Sequence, residues 1–194
     1  LMDGLADLYN TRCIGSATTG CLGIQTIIDS TGTVAGIDRS TDSWFAPYEV
    51  DTVGSAYALT DLDIVWAAVH DADYASPGVD LILTSYKQWR LAKADLNPTV
   101  STSSLPQGGF SQGTQNLGLP LSSFAYANAP VRTVRELTNT IWLFMVAAEH
   151  KLIVQRDWKV DQLAKVDDSD KFLVTGAFGQ LNLNPKHTAK LIGA

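Results

Sequence analysis

Residues 33–48 read TVAGIDRSTDSWFAPY. The stretch shows neither the 3.6-residue spacing of an amphipathic helix nor the strict alternation of a half-buried strand. It still carries an adjacent charged pair, Asp38 and Arg39, and an adjacent aromatic pair, Trp44 and Phe45. On residue chemistry alone, the aromatics pin the loop to its own core. Gly32 to Gly36 lacks the spacing of a phosphate-binding loop, so the segment is not read as a nucleotide cradle.

The rest of the chain sets the frame for that stretch. A length of 194 residues with 45% hydrophobic content suits one domain or two small lobes. The longest apolar run, 141–148, is too short to span a bilayer, and no basic segment precedes an apolar one near the start. The reading is a soluble chain with no membrane partner. Its first residue is Leu1 rather than Met, so the natural N-terminus is expected to lie upstream. Net charge is −6; residues 1–97 hold 5 Lys/Arg against 13 Asp/Glu, and residues 98–194 hold 9 against 7. An acidic chain without a cationic footprint is poorly suited to gripping nucleic acid. Cys13 and Cys21 are too few for a disulfide framework and have no metal-site spacing, which fits a cytosolic setting.

Leu1, Leu5 and Leu8 mark the end of an amphipathic helix, and 15–20 a flexible turn. Thr60 and Asp63 form a capping-box-like start, and Leu62, Val65, Trp66 and Val69 share a face, which predicts a helix over 61–74. Ser76-Pro77-Gly78 ends it, and the aliphatic run 79–84 reads as a buried strand containing Leu81 and Leu83. Ser85 caps a second helix with Trp89, Ala92 and Leu96 on one face. Helix, strand and helix with short links imply helices layered on a sheet. Trp66, Trp89, Leu81 and Leu83 are the expected core residues. Residues 97–116 are polar and Gly/Pro-rich and are expected to form a mobile loop. Strands are expected over 117–126, 131–136, 141–147 and 151–158, then a turn at 167–170 and a long closing strand or strand pair over 172–184.

No constellation converges on chemistry. His70, His150 and His187 are scattered, and no nucleophile elbow accompanies them. Asp167-Asp168-Ser169-Asp170 lacks the Gly and Glu of a calcium loop. We therefore expect no catalytic, cofactor-binding or metal-binding residues. A small serine hydrolase using one of the three histidines is the remote alternative.

Read in order, five segments resemble the major capsid proteins of tailed bacteriophages, whose shell fold is named after phage Hong Kong 97. Leu1-Met2-Asp3-Gly4-Leu5 followed by 15–24 is similar to the end of that family's spine helix and its Gly-rich turn. Ala35-Gly36-Ile37-Asp38-Arg39-Ser40 with Trp44-Phe45 is similar to a GGIDR…WW signature. Residues 79–85 with Trp89 resemble its DLIVTS…W strand and helix. Leu117-Gly118-Leu119-Pro120 resembles GLPV, and Gly179-Gln180-Leu181 through Pro185 its closing GQLxxxNP strand.

The resemblance implies an α+β chain with a peripheral domain (1–50 and 168–194) and an axial domain (51–167), the latter a central sheet flanked by helices. Asp38, Arg39, Trp44 and Phe45 would then anchor the crossing between lobes. It also implies a non-enzymatic subunit that assembles with itself into pentamers and hexamers of an icosahedral shell. That shell would enclose DNA without specific recognition and would work with scaffold, protease, portal or decoration proteins. The location would be the virion capsid, assembled in the bacterial host cytoplasm. An encapsulin-type nanocompartment subunit is the alternative with the same fold. The family's N-terminal arm and extended loop are not found in these residues, so this length alone is expected to be a core that stays monomeric. An acidic lining would repel packed DNA within a Debye length of ~8–10 Å.

Overall fold

The computed structural model describes residues 13–14, 22–52, 58–72, 77–100, 124–127, 129–163 and 172–193. The expected features at Leu1–Asn10, 15–20, 101–123 and 167–170 lie outside the described residues.

The main body is a six-stranded mixed sheet in the order β3 (Tyr48–Asp51), β10 (Ala189–Ile192), β7 (Ile141–Met145), β4 (Leu81–Thr84), β6 (Ala129–Thr133), β5 (Phe124–Tyr126). β4 runs parallel to β6 and antiparallel to β7, while β10 runs parallel to β3. β7 is buried along its whole length, because apolar elements cover both faces of the sheet there. Its alternate residues feed two cores. Trp142 and Phe144 join Leu62, Val65, Val69, Ile82, Trp89, Ala92 and Leu191 on one face. Ile141, Leu143 and Met145 meet Ile28 and Leu137 on the other.

The first of these faces carries α2 (Leu59–His70) and α3 (Tyr86–Val100). α2 begins two residues earlier than expected. Its first turn is closed by Asp61, whose Oδ2 accepts from the Ala58 N–H at 2.7 Å, rather than by a Thr60–Asp63 pair. It also stops at His70, where Gly78 packs against the imidazole. Gly78 has φ +78°, and a Cβ there would overlap the His70 ring. Ser85 does cap α3, its Oγ accepting from Gln88 N at 3.3 Å. The helix continues to Val100, so 97–100 is not loop.

The second face carries the single turn α1 (Ile24–Ile27). Gln25 ties it to the turn before β7: Nε2 donates to the Glu136 carbonyl at 3.3 Å, and Oε1 accepts from Thr138 Oγ1 at 2.9 Å.

Two long strands leave this body. β8 (His150–Gln162) and β9 (Phe172–Asn182) pair antiparallel as a two-stranded ribbon with register shifts around Arg156. The closing region 168–194 holds two strands that join different sheets. The 172–182 part belongs to the ribbon, and Ala189–Ile192 enters the main sheet between β3 and β7. The pairing of β10 with β3 joins positions 141 residues apart (Ala189 with Tyr48), a contact that no local pattern announces.

The stretch 33–48 is not structureless either. β1 (Thr33–Val34) and β2 (Ile37–Asp38) form a hairpin around Ala35-Gly36, with φ +53° and +83° at those two residues. Positive φ at both central positions of a two-residue loop matches the right-handed strand twist and favours glycine. Gly36 meets this demand, whereas Ala35 holds a left-handed conformation against its Cβ. Ala35→Gly is therefore expected to raise stability by ~0.5–1 kcal/mol in urea unfolding. A decrease would show that Ala35 makes a compensating contact.

Candidate interaction surfaces

Arg39 is the most deeply enclosed charge of the quoted stretch, at 2% exposure. The hairpin turns the chain so that its guanidinium reaches the open end of α1. Nη2 donates to the Ile27 carbonyl at 2.6 Å, and Nη1 to the carbonyls of Asp29 at 2.6 Å and Thr26 at 3.2 Å. The carbonyls of Thr26 and Ile27 are ones that a terminating helical turn leaves unsatisfied, and that of Asp29 lies just beyond it. Burial pulls the guanidinium below its ordinary pKa, and the Asp29 carboxylate opposes that shift. Phe45 covers the group, its ring centroid 5.6 Å from Cζ. Asp38 shapes the exit from the hairpin. Its carboxylate accepts from Ser40 N at 3.0 Å and from Ser40 Oγ, which holds it below the usual carboxylate range.

Asp29 links this knot to the sheet. Its Oδ2 accepts from Lys190 Nζ at 3.2 Å, and Glu49 Oε1 lies 3.5 Å from the same nitrogen. Glu49 Oε2 in turn accepts from Ser30 N at 2.9 Å. In β10, Ala189 and Leu191 face the helices, so Lys190 points to the opposite face, toward the end of α1. Burial raises the Asp29 pKa, but hydrogen bonds from Thr31 and the Lys190 charge outweigh it and leave the carboxyl below its ordinary value. Lys190, Glu49 and Asp29 were not singled out in the sequence. Lys190 in Ala-Lys-Leu-Ile reads as an ordinary solvated position until β3 and β10 are seen to pair.

Trp44 departs from the expectation that both aromatics pin the loop to its own core. It is 61% exposed, on a 3-10 turn (Ser43–Phe45), and meets Phe45 edge-on at a centroid distance of 5.5 Å. The physical reason is that one aromatic suffices to shield the guanidinium, and Phe45 occupies that place. Trp89 is buried, and Trp66, Leu81 and Leu83 are partly buried against the two cores.

The ribbon is the other distinctive surface. Leu152, Ile153, Val154, Val160, Phe172 and Leu173 each remain 47–51% exposed. Aliphatic residues bared on consecutive positions, and so on both faces of a two-stranded ribbon, form an apolar patch of the kind that marks interaction sites. Two strands alone are also marginal in water.

Of the histidines, His70 stacks on Trp66 at 4.8 Å, far from a nucleophile setting. His150 begins β8 and His187 ends the turn that follows β9, where its Nδ1 lies 2.7 Å from Glu149 Oε1. Among the described residues, no group of three His, Cys, Asp or Glu is arranged to hold a metal ion, and no helix is long and apolar enough to cross a membrane.

No protein-family model and no curated protein sequence matches the chain. Solved structures do. Over 99% of its length the chain superposes on the cyanophage A-1(L) capsid protein with TM-score 0.71 at 13% identity. The fold is that of a Hong Kong 97-like shell protein. It is also similar to the SrpI encapsulin of Synechococcus elongatus (TM-score 0.61, 12% identity, 98% of this chain). The capsid of an empty GTA particle gives TM-score 0.61 at 14% identity over 100% of this chain. The chain spans 69% of the cyanophage protein and less than two thirds of the other two, at 62% and 65%.

The geometry separates the two halves of the quoted stretch energetically. Arg39→Met strands several buried carbonyls and is expected to cost about 2–4 kcal/mol in denaturant unfolding. Trp44→Ala, at an exposed position, is expected to change stability by less than ~0.5 kcal/mol. Equal losses for the two variants would refute this division of labour.

Proposed function

We propose that this chain is the core of a shell subunit, the major capsid protein of a tailed bacteriophage. In this reading the six-stranded sheet with α2 and α3 is the axial domain, which surrounds the symmetry axes of pentamers and hexamers. The ribbon, together with 22–47, belongs to the peripheral domain. The observation that carries the proposal is the likeness to the cyanophage capsid protein over essentially the whole chain, at TM-score 0.71.

The surfaces support it. A shell subunit needs edges that meet other copies through heterologous contacts whose rotations close, and the bared apolar ribbon offers such an edge. The sheet's two buried cores hold the outline fixed. The proposed role is non-enzymatic: around Asp29 the polar groups of Arg39, Glu49 and Lys190 bind backbone and one another and build a junction. Its partners are copies of itself, packaged DNA met without base recognition, and the scaffold, protease, portal and decoration proteins of head assembly. It would be built in the bacterial cytoplasm and end in the virion capsid.

The encapsulin neighbour favours one second reading, a nanocompartment subunit that encloses protein cargo. Electron microscopy of the full-length gene product, expressed in bacteria, tests both. Closed shells or capsomer rings are the expected result, and a species that stays monomeric at every concentration would reject the proposal. Nuclease-protected DNA inside shells recovered from a phage-producing culture marks a capsid, and a co-purifying enzyme inside them marks an encapsulin.

A further inference from the structure

We propose that the corner where the ribbon joins the sheet is an acid-responsive hinge, closed around His150 when that imidazole is neutral and loosened when it takes a proton. The proposal stands on the geometry of this chain alone and does not depend on the shell reading.

The chain crosses between ribbon and body at this corner in both directions, and a further tie, Gln180 Nε2 donating to the Cys13 carbonyl at 2.8 Å, lies just outside it on β9. The chain enters by the 3-10 turn Ala147–Glu149 and returns by a second one, Pro185–His187. The two turns are held together by few bonds. Leu183 N donates to the Glu149 carbonyl at 3.0 Å, and His187 Nδ1 lies 2.7 Å from Glu149 Oε1. Asn184 Nδ2 lies 3.0 Å from the other ring nitrogen of His187. From the segment just before β4, Asp80 Oδ1 accepts from Ala147 N at 2.6 Å and fixes the entry turn.

The corner also concentrates unsatisfied groups. Six buried side-chain atoms among the described residues have no hydrogen-bond partner, and three of them are here: Glu149 Oε2, His150 Nε2 and Asn182 Nδ2. His150 and Asn182 face each other as the first pair of the ribbon ladder. A clustering of this kind at a joint marks a closed arrangement that leaves polar groups in deficit, and such a joint opens at lower cost than a fully satisfied one.

The charged and titratable groups around His150 come from each element that meets the corner. Glu149 and Lys151 flank it in sequence, Asp80 approaches from the segment before β4, and His187 belongs to the turn before β10. Burial lowers the His150 pKa to about 4, with the Asp80 carboxylate opposing the shift. An imidazole in an opened, solvated corner titrates near its ordinary 6.5. The open form therefore binds more protons between these values. The closed form is fully favoured above about pH 6.5 and loses its advantage as pH falls toward 4.

Amide hydrogen exchange on the intact chain tests this, with rates corrected for intrinsic pH dependence. From pH 7 to pH 4.5, protection at 150–154 and 179–183 is expected to fall roughly 10- to 100-fold. Over the same range, protection of β7 and β10 holds. In His150→Gln, which cannot take the proton, ribbon-root protection is expected to stay flat. An unchanged ribbon root in the wild type, an equal loss across β7 and β10, or the same loss in His150→Gln would each overturn the hinge. Should that variant fail to fold, the wild-type imidazole titration followed by NMR decides the matter. A midpoint near 4 supports the closed, desolvated histidine, and a midpoint near 6.5 refutes it.

Discussion

A buried guanidinium organises one end of this molecule. Placing a full charge out of water is costly, and removing its partners costs more still, so the surrounding backbone must supply acceptors in fixed positions. Around Arg39 those acceptors are the carbonyls of Thr26, Ile27 and Asp29. Holding them requires the chain to stop its helical turn after Ile27. It also requires the Ala35-Gly36 hairpin to swing Arg39 back over that turn. Phe45 then closes the lid, and the chain leaves for β3. The same loop presents Asp29 to Lys190, so the knot around the guanidinium is tied directly to the sheet's β10 strand.

From that junction outward, two kinds of surface follow different physics. The sheet is covered on both faces by apolar cores, which makes it stiff. The ribbon bares aliphatic side chains along its strands and has little of its own to pack against among the described residues. In the proposed reading, that apolar ribbon is the edge that meets other copies of the chain. Its polar groups serve geometry: Gln25, Asp61, Ser85 and Asn184 each satisfy backbone at a turn or helix end.

Much of this was legible in the sequence because it is locally encoded. The run 79–84, aliphatic and bounded by Ser76-Pro77-Gly78, reads as a buried strand, and β4 occupies 81–84. Leu62, Val65 and Val69 recur on one face and form the buried side of α2. The order of short motifs gave the shell fold without any overall similarity in sequence. What stayed hidden is non-local. Arg39 looks like a surface charge until the end of α1 is placed above it. Trp44 and Phe45 are adjacent and look equivalent, yet only Phe45 lies over the guanidinium. β10 reads as a tail because its partners, residues 48–51 and 141–145, are far away in the chain. The charge-paired role of Lys190 follows from that pairing and was invisible for the same reason.

Arg39 and Lys190 act on one object, the loop at Asp29, from the hairpin side and from the sheet side. A double-mutant cycle measures this directly, using Arg39→Met, Lys190→Met and the pair in equilibrium urea unfolding. If the loop is a shared anchor, the second substitution costs less once the first is made, with a coupling of ~0.5–3 kcal/mol. Strict additivity of the two losses would mean that hairpin and sheet are fastened independently, and the junction described here would not be a single structural unit.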